Sequence, residues 1–343
     1  MIIVLYAVTA LLYGGLSLAA WRAYRRQPVL DAVMAGTTSP AFQSAPHVPP
    51  QLATPPLRPP PQAAARAGVS LPAARVVLFI ALLAHGVLLH ATVFPADSMV
   101  FGFAFSLSAM LWLGAGIYLV ESFFFPLEGL GLLVLPLACV GALMPLIFGG
   151  VRVLSYAADP LFKIHFLIAN VAYGLLAIAA LHAVLMLAIE RRLHAARRSL
   201  ARPAVRQGLA LKTGNGYIGA DEATVQGGNS WLSGWLETLP PLLTLEKLLF
   251  RLISAGFLML TLTLVSGILF SEQLLDRLVS FDHKTVFAIV SWVLFGGLVA
   301  GRTFYGWRGR TALRWVLLAF ISLLLAYVGS RFVLEVLLHR QVV

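Results

Sequence analysis

The chain has 343 residues, of which 59% are hydrophobic and 11% are charged, and its net charge is +11. Soluble domains contain about 25% charged residues, so this composition excludes an ordinary soluble protein and predicts a polytopic membrane protein. Basic loops that face an anionic membrane surface account for the net charge, which therefore does not indicate nucleic-acid binding. The single cysteine, Cys139, excludes a C-x-x-C redox pair, an intramolecular disulfide and the haem-attachment motif of c-type cytochromes.

Eight apolar stretches along the chain predict the fold class, which is an all-α bundle of eight transmembrane helices. Each stretch approaches or exceeds the roughly 18 residues that cross the hydrocarbon core of a bilayer. They cover residues 2–21, 75–94, 99–120, 130–149, 161–189, 247–270, 284–301 and 313–338. No positive charge precedes the first stretch, whereas Arg22 follows it, so we interpret it as a retained helix and not as a cleaved signal peptide.

The basic residues predict how the bundle is oriented. The loops after the first, fifth and seventh stretches carry 19 of the 25 Lys and Arg residues. Lys and Arg are concentrated in cytoplasmic loops, so these loops are predicted to be cytoplasmic and both termini to lie outside. We therefore expect a multi-pass protein of the bacterial inner membrane, with the lipid bilayer as its surroundings.

Two polar segments divide the chain. Residues 1–22 form the predicted first helix, residues 23–73 a Pro-rich, disordered cytoplasmic linker, and residues 74–343 a seven-helix membrane domain. A cytoplasmic insertion at 190–244 interrupts that domain. It contains a G-x-G-x-x-G match at 214–219, which we interpret as a flexible loop because no strand precedes it and no helix follows it.

The candidate chemistry rests on histidines. The chain contains no G-x-S-x-G, H-E-x-x-H or Walker motif, so it is predicted not to be an enzyme. Ionisable side chains in a membrane are costly and therefore mark candidate sites. Five histidines lie in or beside the predicted spans: His85, His90, His165, His182 and His283.

Depth in the membrane limits how these histidines can pair. His165 and His182 are separated by about 25 Å of helix rise and cannot meet one cofactor, whereas His165 can pair with His283 or His90. Two neutral imidazoles from facing helices are the usual ligands of a b-type haem iron. The alternative for each histidine is a hydrogen bond to a backbone carbonyl or to a Ser or Thr of a neighbouring helix.

Several motifs in the second half of the chain resemble one family. They are Phe162-Lys163-Ile164-His165 followed by Tyr173, Asp282-His283-Lys284, Trp292, Arg302, Gly306-Trp307-Arg308-Gly309, Tyr327 and Gly329. This set resembles the cytochrome c assembly proteins of the CcsA/CcmC type, and the resemblance covers residues 160–338. The shorter branch known as inner-membrane protein YpjD or HemX is the better match, because it shares Leu239-Pro240-Pro241-Leu242-x-x-Leu245-Glu246 before the sixth span.

The resemblance implies a haem b cofactor and a set of ligands. His165 falls on the outward-facing haem-ligand histidine, His85 on the histidine that the shorter branch has in span two, and His283 becomes a possible opposing ligand. Arg331 could hold a haem propionate or pair with Glu335. The chain departs from the family at Ala300, where the family has a histidine, and in its short outer loop at 271–283, which has no Trp.

The function implied is haem handling or cytochrome c assembly by a haem-binding membrane protein. Its partners would be haem and other cytochrome c assembly proteins or a membrane transporter. The alternative is a non-catalytic membrane accessory that regulates haem synthesis or an ion transporter. A third hypothesis, a quinol-oxidising cytochrome b, requires two haem sites and is disfavoured by the small number of suitably placed histidines.

Overall fold

A computed structural model describes residues 2–36, 71–93, 102–148, 159–210, 242–275, 283–329 and 332. Within these ranges the structure is all-helical, with eight α-helices and no strand. The helices are α1 (Ile2–Gly36), α2 (Leu71–Val93), α3 (Phe103–Phe124), α4 (Glu128–Ile147), α5 (Pro160–Ala210), α6 (Leu242–Leu275), α7 (His283–Tyr305) and α8 (Gly309–Leu324). A π-helical turn, Leu325–Gly329, continues α8.

The predicted fold class is confirmed. Seven helices, α1 to α7, contain an apolar stretch long enough to cross a membrane. The eighth predicted span, 313–338, begins in α8 and continues through the π-helical turn, and most of its remainder lies outside the described residues. Large apolar side chains point outward from the bundle, as lipid contact requires; Leu11 is 73% exposed and Leu167 is 63% exposed. The orientation of the bundle stays a prediction.

Two helices continue well beyond the predicted ends of their spans. α1 reaches Gly36 and α5 reaches Ala210, whereas the sequence predicted the ends of these spans at residues 21 and 189. Hydropathy detects the part of a helix that contacts lipid, but Ala, Arg and Leu also favour helix outside the bilayer. The Pro-rich stretch at 40–61 and the Gly-rich segment at 211–241 lie outside the described residues, so the predicted linker and insertion stay predictions there.

The eight helices form two groups of four. In the first group, α1 packs against α2 and α4, and α3 closes the ring by packing against the same two helices. In the second group, α6 and α8 both pack against α5 and against α7. The main contact between the groups is α3 against α5, which we call the seam; α4 and the π-helical turn add smaller contacts.

Glycines let the helices of the seam approach closely. A Cβ added to Gly174 of α5 would lie 2.8 Å from Leu113 Cβ on α3, which is closer than real Cβ atoms approach. A Cβ at Gly114 would lie 3.5 Å from Ile178 Cγ1. Membrane helices have no hydrophobic drive to associate within lipid, so they rely on such small residues for tight packing. Gly174 therefore sets the separation of the two groups.

Candidate functional site

His165 lies in the second turn of α5, half-buried against α6. Its Nδ1 is 2.9 Å from Ser266 Oγ, and that hydroxyl donates to the carbonyl of Thr263 at 3.1 Å. Because the serine hydrogen is already used, Oγ accepts and Nδ1 donates, which places the lone pair of the imidazole on Nε2. Metal-ligating histidines are oriented in the same way, with one ring N–H donated to an outer partner. His165 thus makes the kind of hydrogen bond that orients metal-ligating histidines.

The glycine after Ser266 completes the contact between α6 and the imidazole. A Cβ at Gly267 would lie 3.3 Å from His165 Cε1, which is tighter than most Cβ contacts. α6 therefore orients the ring through Ser266 and leaves space for it at Gly267. Sequence reasoning did not single out either residue, although a Ser-Gly pair in an apolar helix is a visible signal of a close polar approach.

His85 has a different environment. It is fully buried in the first group, with Nε2 2.9 Å from Ser108 Oγ on α3 and Nδ1 3.4 Å from the Tyr13 hydroxyl on α1. The Tyr13 ring also meets the imidazole edge-on, with centroids 5.7 Å apart. Both ring nitrogens therefore face protein hydroxyls, as in the hydrogen-bonded alternative considered from the sequence. His85 belongs to the first group and His165 to the second.

Of the other predicted site residues, only His90 has a described side chain. His90 lies on an exposed face of α2. His283 is the first residue of α7, but its side chain lies outside the described residues, as does all of Arg331. The ligand opposite His165 and the residue that holds a haem propionate therefore stay predictions. In the part of the chain that the structure describes, no three His, Cys, Asp or Glu side chains form a group that could hold a metal ion.

His182 forms a buried pair that sequence reasoning did not anticipate. Its Nδ1 donates to the carbonyl of Ile178 at 3.0 Å, one turn earlier in α5. Its Nε2 lies 3.6 Å from Glu121 Oε2 on α3, and the side chains are 0% and 7% exposed respectively. Glu121 is the one acidic residue of α3, so a lone carboxyl in an apolar helix was the signal in the sequence.

The G-W-R-G motif forms the turn between α7 and α8. Gly306 and Gly309 have φ angles of 63° and 70°, a region that favours glycine. The turn is closed by a hydrogen bond of 3.1 Å from the Trp307 N–H to the carbonyl of Gly301. The Trp307 ring covers Gly301, where an added Cβ would lie 2.7 Å from the indole. These glycines therefore have structural roles.

Two further motif residues clamp this turn to α6. Arg302 forms an ion pair with Glu246 and also donates to the carbonyl of Trp307 at 3.2 Å. Its guanidinium lies 4.5 Å from the centroid of the Phe250 ring. Arg308 Nε is 3.6 Å from the same carboxylate of Glu246. Motifs that are 56 residues apart in sequence thus form one structure at the predicted cytoplasmic face.

Trp292 and Tyr173 hold the second group together. Trp292 Nε1 donates to Thr261 Oγ1 at 2.9 Å, and its ring stacks on Phe257 with centroids 5.7 Å apart. The Tyr173 hydroxyl donates to the carbonyl of Leu323 at 3.2 Å, which joins α5 to α8. Both motif residues therefore fix the helices around α5, which carries His165.

Comparison with known proteins identifies one family model, described as cytochrome C assembly protein, which matches residues 73–338. An uncharacterized 28.8 kDa protein of Azospirillum brasilense is 38% identical over 100 residues, which are 29% of this chain and 37% of that protein. Inner membrane protein YpjD of Escherichia coli K12 is 34% identical over 101 residues, which are 29% of this chain and 38% of that protein.

A third relative is the cytochrome c biogenesis protein CcsA of Gloeobacter violaceus. It is 27% identical over 92 residues, which are 27% of each chain. The matches to these relatives thus span well under half of their lengths. No solved structure matches the chain with significance.

Proposed function

Because the chain belongs to the cytochrome c assembly protein family, we propose that it binds haem b and takes part in haem handling for cytochrome c assembly. The chain is a multi-pass protein of the inner membrane. Relatives named cytochrome c biogenesis protein CcsA support a role in the same process. Haem and other assembly proteins are therefore the proposed partners, with a membrane transporter as the alternative partner.

The arrangement around His165 carries this proposal. A haem ligand needs a neutral imidazole whose lone pair is directed by a hydrogen bond on the other nitrogen. Ser266 supplies that hydrogen bond to Nδ1, and Gly267 has no side chain that would press on the ring. Ser266 and Gly267 thus provide surroundings that suit His165 as a ligand of haem iron. When bound, haem would supply a redox-active iron that the His165 imidazole would ligate.

The remaining roles are proposed in order of their support. His283 or His90 would provide the opposing imidazole, because both belong to the same predicted outer side as His165. Arg331 would pair with a haem propionate, for which a guanidinium is suited by its paired N–H donors. His85 remains a second candidate ligand, but Ser108 and Tyr13 would have to give up their hydrogen bonds to its ring.

The proposed role is binding and transfer of haem, without catalysis by the protein. The second candidate function is a membrane accessory that regulates haem synthesis or an ion transporter. The hydrogen bonds of His85 and His182 to protein groups favour this second function, because they show that a buried histidine in this bundle can have a packing role.

The absorption spectrum of the purified protein, and its change on substitution, distinguishes a haem-binding protein from a regulator without haem. Protein purified in detergent should contain haem and show the absorption spectrum of a low-spin b-type centre. His165→Ala should remove or reshape that spectrum. The matched control is His194→Ala, the same change at an exposed position of the same helix. A folded preparation that is colourless and takes up no added haem would support the regulator instead.

A further inference from the structure

Glu121 and His182 face each other across the seam, where the two groups of helices meet. Glu121 lies in the last turn of α3, and His182 lies in the half of α5 that is predicted to be nearer the cytoplasm. The haem proposal uses neither residue. Both side chains are more than nine-tenths buried, and their closest atoms are 3.6 Å apart.

Three polar atoms of this pair lack hydrogen-bond partners in the part of the chain that the structure describes. Both carboxyl oxygens of Glu121 and Nε2 of His182 are buried without a hydrogen bond among the described residues. Nδ1 of His182 donates to the Ile178 carbonyl, which makes Nε2 the acceptor nitrogen of a neutral imidazole. A buried acceptor without a donor costs about 1–3 kcal/mol. One hydrogen placed between Glu121 Oε2 and His182 Nε2 would satisfy these two atoms and leave Oε1 as the remaining unpartnered acceptor.

Charge decides how many protons the pair holds. With no proton between them, a bare carboxylate would be buried next to a neutral imidazole. With two, an imidazolium would be buried next to a neutral acid. Either net charge is strongly disfavoured in a low-dielectric interior, whereas a single proton leaves the pair neutral. A separated ion pair would need further hydrogen bonds, and neither side chain has them on the facing side.

The charged groups on neighbouring helices do not replace that proton. From α2, Arg75 donates to the carbonyl of Ser122, one residue beyond Glu121, and it makes no ion pair with Glu121. The other titratable groups nearby are Tyr118, on α3 itself, and Glu128, at the start of α4. Neither side chain carries a positive charge, so neither can neutralise a Glu121 carboxylate. Among the described side chains of α5, α6 and α8, the charged ones are paired or exposed. Glu190 pairs with Arg310 and Glu246 with Arg302, and the exposed ones are Lys163, Arg191, Lys247, Arg251 and Arg314.

We propose that Glu121 is a protonated carboxylic acid that donates its hydrogen to His182 Nε2, so that the seam contains a binding site for one proton. A small rotation of the Glu121 side chain shortens the 3.6 Å separation to hydrogen-bond length. Loss of the proton leaves a buried charge between α3 and α5. The contact between the two groups of helices is therefore linked to the occupancy of this site, independently of any haem.

Infrared difference spectroscopy of the full-length protein in lipid tests the site directly. At neutral pH, exposed carboxyl groups are ionised, so a carbonyl stretch of a protonated carboxylic acid reports a buried acid. We expect such a band, sensitive to exchange into D₂O and shifted by isotopic labelling of glutamate. Glu121→Gln should remove it. Glu190→Gln should leave it, because Glu190 is paired with Arg310.

A second variant tests the partner of the proton. His182→Leu removes the acceptor, so the band should persist but move to the frequency of a carboxylic acid without a strong hydrogen bond. If the wild-type protein shows no band from a protonated glutamate, the proposal is overturned. Isotopic labelling of glutamate decides this in the wild-type protein, without any substitution. A band that does not move in the His182→Leu variant would also overturn it, because Glu121 would then donate elsewhere.

Discussion

The close approach of α3 and α5 at Gly174 predicts a measurable cost for adding one methyl group. In Gly174→Ala, the new Cβ would lie 2.8 Å from Leu113 Cβ, roughly 1 Å inside an ordinary carbon–carbon contact. Leu113 Cβ is attached directly to its backbone and cannot rotate away, so α3 or α5 must move. Overpacking of this kind costs about 1–3 kcal/mol.

A matched variant removes the effect of helix propensity. Gly116→Ala on α3 makes the same change where a Cβ would meet nothing within 4 Å. The gain of Ala over Gly in a helix, about 0.5–1 kcal/mol, applies to both variants and cancels in their difference. At about 2 °C per kcal/mol for a chain of this size, Gly174→Ala should unfold roughly 2–6 °C below Gly116→Ala. The assay is thermal unfolding in detergent. Equal unfolding midpoints for the two variants would refute the close approach of α3 and α5 at Gly174.

Three further outcomes are expected from other features of the chain. Ser266→Ala should weaken haem retention without removing it, because His165 keeps its position but loses its orienting partner; outer partners of metal ligands are typically worth about 10–100-fold in affinity. Glu246→Gln should destabilise the protein by about 1.5–3 kcal/mol by breaking the partly buried pair with Arg302, whereas Glu190→Gln, at a more exposed pair, should cost about 0–1 kcal/mol. Topology reporters after residues 60, 220 and 308 should be cytoplasmic and those after 97, 155 and 277 external; an external reporter at 220 would reverse the orientation.

Composition and motifs predicted the class of protein and the family. A chain that is 59% hydrophobic and has eight long apolar stretches has few alternatives to a helical bundle in lipid. The family motifs were equally visible, but their roles were not. Arg302 and Glu246 lie far apart in sequence, and only the fold shows that they meet at the turn between α7 and α8. For Trp307 of the G-W-R-G motif, only the structure shows that its ring contacts Gly301.

The helix ends and the polar partners were not predictable in the same way. Hydropathy marks where a helix leaves lipid, so the extensions of α1 to Gly36 and of α5 to Ala210 gave no signal. Glu121 was not predicted as a site residue, because the candidate sites were defined by histidines. Which hydroxyl faces each imidazole depends on helix rotation and register, and Ser108 and Ser266 were for that reason not identified from spacing.

The absorption spectrum of the His165→Ala variant is the most direct test of haem ligation by this protein. We predict a low-spin haem spectrum for the wild-type protein, its loss or conversion in His165→Ala, and little change in His182→Ala, because His182 lies about 25 Å along the same helix. In His283→Ala, a high-spin spectrum would identify His283 as the opposing ligand, and a low-spin spectrum would assign that role to His90 or His85. A wild-type spectrum retained in full by His165→Ala would contradict haem ligation at this site and the function proposed from it.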